Sequence, residues 1–137
     1  MAKGKLVADE IEHSETFALS TQFVIRGSAK SWVNFNGTST VSIRTSLNSS
    51  GLVDDGAGKY HVNFTNNMSG NSYCVSGSAG TDGSTNTTAF FSTGSGHSNN
   101  GHASDLATGS YTILITYATA NPLDYEIVCG NVNGDLA

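Results

Sequence analysis

The sequence predicts an all-β fold: an antiparallel β-sandwich or jelly-roll-like domain with an extended N-terminal arm. Three observations carry that prediction. Residues 59–65 (KYHVNFT) alternate strictly, with Tyr60, Val62 and Phe64 on one side and Lys59, His61, Asn63 and Thr65 on the other. This is the period of two that a half-buried strand requires. Turn signals such as Asn36-Gly37 and Asp54-Asp55-Gly56-Ala57-Gly58 separate such stretches and supply residues that tolerate positive φ. Roughly eight or nine short strand patterns recur about every ten residues with no convincing helix, the spacing of a sandwich. The arm and a first strand are assigned to residues 1–29 and the sandwich domain to 30–137.

A chain of 137 residues has room for one domain with a modest core. Charged residues make up 12%, about half the usual ~25%, and sixteen glycines accompany one proline and long Ser, Thr and Asn runs. Aromatic and β-branched residues interrupt those runs at regular positions, which favours strands with wet polar faces over a disordered linker. The net charge is −5, and the basic residues Lys3, Lys5, Arg26, Lys30, Arg44 and Lys59 are scattered. Phosphate recognition needs them clustered, so no nucleic-acid partner is expected. No apolar run approaches the ~18 residues of a membrane span, so no membrane insertion is expected. The Met1 region lacks the apolar core of a signal peptide, which points to assembly in a cytoplasm. Cys74 and Cys129 each sit in a strand-like run without metal-ligand spacing. Two buried structural thiols are expected, a disulfide being disfavoured in a reducing compartment.

Along the chain, Lys3 to Glu15 has Leu6, Val7 and Ile11 as its apolar points, and Asp9, Glu10, Glu12 and Glu15 as its densest charge. It reads as a short helix or an extended arm, either a docking segment or a frayed terminus. Phe17, Leu19, Phe23 and Ile25 share the odd face of one strand, which Gly27-Ser28 breaks. In Ser31 to Phe35, Val33 and Phe35 face the core and Trp32 the other way. A lone Trp there fits packing in a second interface better than a free ligand platform. Val41 and Ile43, with Thr45, form the next strand face and Arg44 points away, as an inter-subunit partner or a solvated side chain. Asn48 to Gly58 reads as a long turn region, in which Asp54 and Asp55 fit turn formation better than cation binding.

Asn71 to Ser76 is a further strand, with Tyr73 and Val75 opposed to Cys74. Gly77 to Asp105 reads as two polar loops around the strand Thr88 to Phe91. The second loop carries His97, Asn99, Asn100 and His102. Long polar loops on a β scaffold commonly hold binding sites, and Asn, Ser and His side chains would suit a saccharide. A metal on His97 and His102 would need a third ligand, so exposed loop histidines are the simpler account and no metal or other cofactor is expected. Tyr111 to Tyr117 is the clearest strand, and Leu114 on its second face points to cover on both sides. Asn121-Pro122 turns the chain into a last strand with Tyr125, Ile127 and Cys129 on one face and Glu126 and Val128 on the other, before a polar tail.

The stretch 30–75 carries a resemblance. WVNFNGT, then VSIR, then DDGAGKYHVNFT, then Met68 and NSYCV resemble a domain at the ends of bacteriophage tail fibres and related virion proteins, especially of marine phages. The residues that match are Trp32 to Phe35, Gly37, Thr38, Val41, Ile43, Arg44, Gly56, Gly58, Tyr60, Val62 to Phe64, Met68, Asn71 and Tyr73, roughly a third of the chain. The resemblance implies a homotrimeric virion structural protein, a short tail fibre or tip or a head fibre or decoration. Residues 1–29 would fix it to other virion proteins of the tail or capsid, with Lys5, Leu6, Val7 and Ile11 as anchoring points. Trp32, Arg44 and Leu114 would meet neighbouring subunits, and the 94–105 loop would meet a host-surface glycan. A stand-alone carbohydrate-binding, lectin-like module is the alternative.

The resemblance brings no catalytic residues, and no enzyme is expected. Glycoside hydrolysis needs two carboxylates at a controlled separation, and Asp82 and Asp105 are the only loop pair to consider. A Ser/His/Asp site drawn from His97, His102 and Asp105 lacks any nucleophile motif.

Overall fold

The computed structural model describes residues 10–13, 17–81, 89–93, 106–117 and 121–137. At the N-terminal side, β1 (Glu10–His13) pairs antiparallel with β2 (Phe17–Ser20) as a small separate sheet, and the helix α1 (Thr21–Gly27) follows. The rest of the described chain forms β3 (Ser31–Asn36), β4 (Ser42–Leu47), β5 (Ser49–Asp54), β6 (Lys59–Phe64), β7 (Cys74–Gly80), β8 (Ala89–Ser92), β9 (Leu106–Ala107), β10 (Ser110–Tyr117) and β11 (Ile127–Asn133). Two antiparallel sheets result, one ordered β4-β3-β11-β7 and one ordered β5-β6-β10-β8, with β9 also paired to β10. They pack face to face as an all-β sandwich.

The alternation read from the sequence decides what lies between the sheets. Val33 and Phe35 of β3 and Val128 and Val132 of β11 face Tyr60, Val62 and Phe64 of β6 and Tyr111, Ile113 and Ile115 of β10. Aromatic rings fill much of this space: Phe35 meets Tyr60 edge-on with centroids 4.8 Å apart, and Phe64 meets Tyr73 edge-on at 5.8 Å. Such pairs add about 0.5–1.5 kcal/mol beyond simple burial. Five register pairs, from Val128↔Phe35 through Gly130↔Val33 to Val132↔Ser31, bind the last strand beside the first strand of the sandwich.

Several residues between 32 and 73 serve the framework. Gly37 carries no side chain because a Cβ there would lie 2.5 Å from the Tyr60 hydroxyl and 2.8 Å from the Tyr125 carbonyl oxygen. Gly58 sits at φ +65°, where a Cβ would come within 2.4 Å of the Ile115 carbonyl oxygen. Asp54 and Asp55 shape the β5–β6 turn: Asp54 Oδ1 accepts from Gly56 N at 3.0 Å, and Asp55 N donates to Lys59 O at 3.0 Å.

Several elements differ from the sequence reading. The apolar pattern of residues 17–25 does not continue as one strand, because Ser20 caps a helix, its hydroxyl accepting from Gln22 N. Residues 49–54 are a strand rather than part of a long turn. Asn48, at φ +53°, is the single residue between β4 and β5, where the chain passes from one sheet to the other. β7 begins at Cys74 and runs to Gly80, into the stretch read as loop. A bulge opposite Asn34/Phe35 separates Ile43, which packs on the core, from Thr45, which pairs with Asn34 on the outer side. In β11 the inward residues are Val128 and Val132, while Ile127 is exposed. The expected tail is therefore still strand through Asn133. Neither cysteine is buried: Cys74 is exposed and Cys129 half-buried, and both are free thiols.

Candidate interaction surface

Turning Val33, Phe35, Val128 and Val132 inward forces their neighbours outward, so the outer face of the β4-β3-β11-β7 sheet follows from the same alternation. Across this face the register sets two rows of side chains. Leu47, Trp32, Asn131 and Ser76 form one, and Thr45, Asn34, Cys129 and Ser78 the other. The β7 side is built from serine and glycine while β3 carries an indole, so the surface drops beside Trp32 into a shallow depression of about 430 Å3. Its volume falls within the ~300–1,000 Å3 usual for small-molecule sites.

Polar contacts hold this floor. Asn34 Nδ2 donates to Cys129 Sγ at 3.0 Å, and Asn131 Nδ2 donates to Asn133 Oδ1 at 2.8 Å. Beyond Asn34 a second depression of about 370 Å3 is lined by Arg44, Glu126 and Ile127. Arg44 is the extra residue of the β4 bulge, and its Nη1 donates to the Phe35 carbonyl oxygen at 2.8 Å. The long outer surface therefore has an uncharged half around Trp32 and a charged half around Arg44 and Glu126.

A second candidate surface is α1. None of its residues is buried, and Phe23 and Ile25 are 68% and 62% exposed. Polar ties fix its position. The Lys30 ammonium, itself buried, donates to the carbonyl oxygens of Ile25 and Ser28, at the end of the helix where a cation is favoured. Asn133 Nδ2 donates to Gly27 O at 3.1 Å, and Arg26 lies 3.8 Å from Asp135 in an exposed ion pair.

Of the residues singled out from the sequence, Trp32 and Arg44 share the outer face. Leu114 is only 7% exposed within one chain and has almost no surface to give a neighbouring subunit. Ile11 lies on β1, in register with Leu19 of β2. Lys5, Leu6, Val7, His97, Asn99, Asn100 and His102, with Asp82 and Asp105, lie outside the described residues. Sequence reasoning missed the Asn34, Cys129, Asn131 and Ser78 cluster, because it assigned Cys129 to the wrong face and residues 77–80 to a loop. The signal that could have found it is the glycine-valine alternation of residues 128–132, which turns Cys129 and Asn131 away from the core.

Among the described residues, no group of three or more His, Cys, Asp or Glu side chains is placed to hold a metal ion. Nor is any helix there long and apolar enough to cross a membrane. Comparison with protein-family models, with curated proteins and with solved structures gave no match to this chain.

Proposed function

We propose that this protein is a bacteriophage virion structural protein: a short trimeric fibre or appendage of tail or head, held by its N-terminal segment and presenting the sandwich to the host surface. The observation that carries this reading is the division of labour between the two parts of the chain. The sandwich closes its own core, whereas α1 adds no buried residue and leaves Phe23, Val24 and Ile25 outside. Apolar groups set outward on a polar-tethered segment fit contact with another protein. The N-terminal segment accordingly serves as the subunit and virion contact, replacing Leu114 in that role. The resemblance of residues 32–73 to fibre-end domains supports the same reading, since the matched Gly37, Gly58 and Tyr60 belong to the framework such a family would share. Three copies on one spike would gain avidity from individually weak sites.

Labelling of purified virions with gold-conjugated antibody against this chain tests the proposal. Gold on tails or heads supports it and fixes the location; unlabelled particles, with the chain missing from their protein gels, overturn it. The second reading, a stand-alone carbohydrate-binding module, is favoured by the Trp32 depression and makes no use of α1. It would keep sugar binding after deletion of residues 1–29 and would be found free rather than on particles.

A further inference from the structure

We propose that the depression beside Trp32 is a binding site for a neutral glycan. The inference deepens the proposed function and rests on it only for the source of the glycan, the host surface. A sugar ring offers an apolar C–H face and a rim of hydroxyls, so a site for it needs an aromatic surface flanked by groups that both donate and accept hydrogen bonds. Trp32 supplies the aromatic surface, half-exposed in the wall of the depression. Asn34, Asn131, Ser76 and Ser78 surround it, and each amide or hydroxyl among them can donate and accept.

Charge selects among ligands. Among the described residues no carboxylate, ammonium or guanidinium lines this half of the face, and the neighbouring half carries both a basic Arg44 and an acidic Glu126. An anionic ligand such as a nucleotide or a sulfated sugar finds no cluster of cations here, whereas an uncharged polyhydroxylated ring matches the lining. Two adjoining depressions that share Asn34 also suit a chain of sugars better than a single unit. The small residues of β7 are what keep the trough open.

Trp32 is the chain's one tryptophan, so its fluorescence reports on the site directly. Purified full-length protein would be screened on an array of neutral, sialylated and sulfated oligosaccharides, and then titrated with the neutral binders while tryptophan emission is followed. The expected result is a saturable emission change with neutral oligosaccharides and dissociation constants in the millimolar to micromolar range. Trp32→Ala should abolish array binding. Ser78→Arg, at an exposed position on β7 across the trough from β3 and its indole, should weaken binding by roughly tenfold or more.

Binding confined to anionic sugars overturns the proposal, as does binding that survives Ser78→Arg unchanged, which would place the sugar elsewhere. An emission change that tracks protein concentration without sugar also overturns it, because a second copy would then occupy the face. None of these outcomes depends on virion labelling, so the failure of one reading is distinguishable from the failure of the other.

Discussion

The phenol of Tyr60 and the carboxylate of Asp124 meet at 2.8 Å across 64 residues of sequence. The same Asp124 Oδ1 accepts from Gly58 N at 2.7 Å, and the Tyr60 hydroxyl also lies 2.9 Å from the Gly37 carbonyl oxygen. Tyr60 and Asp124 together thus join the turn before β6, the turn after β3 and the segment entering β11. Tyr60→Phe would leave two acceptors without their shared donor. We expect a loss of about 1–3 kcal/mol in denaturant unfolding, with the fold retained.

Tyr111→Phe should behave in the opposite way. Its hydroxyl is buried without a hydrogen-bond partner among the described residues. Removing a polar atom that folding leaves unsatisfied is expected to be neutral or to stabilise by about 1 kcal/mol. Parallel unfolding curves of the two Tyr→Phe variants check the contrast.

Two glycines of one turn should differ. Gly56→Ala meets open space and carries the cost of φ +116° alone, about 1–3 kcal/mol. Gly58→Ala adds a Cβ at 2.6 Å from Leu123 N and closer still to the Ile115 carbonyl oxygen. Backbone on both sides cannot yield cheaply, so Gly58→Ala should unfold at markedly lower denaturant than Gly56→Ala or fail to fold.

Alkali should unfold the protein in a defined window. Burial pushes the Tyr73 phenol from 10.0 up to about 12. Burial also raises Tyr60, with the Asp124 hydrogen bond adding to it, and raises Tyr111. A phenol that holds its proton more tightly when folded contributes stability that is whole below pH 10 and disappears as the pH climbs through about 12. Tyr73 alone accounts for on the order of 3 kcal/mol. Phenolate absorbance should rise in that window together with loss of the β-sheet circular dichroism signal, and Tyr73→Phe should reduce the slope of stability against pH.

The cysteines should remain separate. Cys74 pairs with Asn133, four positions along β11 from Cys129, a gap of about 13 Å at strand rise and beyond the ~7 Å reach of a disulfide. Intact mass after thiol labelling of folded protein should show Cys74 modified quickly and Cys129 more slowly, since its sulfur is half-buried and hydrogen-bonded to Asn34.

Where one face of a strand is apolar and the other polar, the sequence announced the structure. Residues 59–64 and 111–115 are inward and outward as their alternation requires, and Leu114 is covered as its apolar character on the second face required. Reading failed where side chains are too small to carry the alternation. Serines and glycines hid β5 and most of β7, which are strands because neighbouring strands β6 and β11 pair with them. It failed again at α1, where no residue is buried and the apolar pattern therefore has no core to answer to. The candidate surface inherited the first of these errors, since β7 forms one side of it, and a further one in the face assigned to Cys129 on β11.

The pairing of β3 with β11 also has a consequence for how the protein is made. Asn34 and its partner Cys129 are 95 residues apart, and β11 lies between β3 and β7 in their sheet. A ribosome that has released the chain only as far as β10 has delivered every strand of the five-stranded sheet but not the strand that joins its cover together. Closure therefore waits for β11 to emerge, which makes folding late, dominated by distant contacts and slow. Until then the aromatic face of the unfinished half stays open to other nascent copies, which exposes the half-made chain to misassembly.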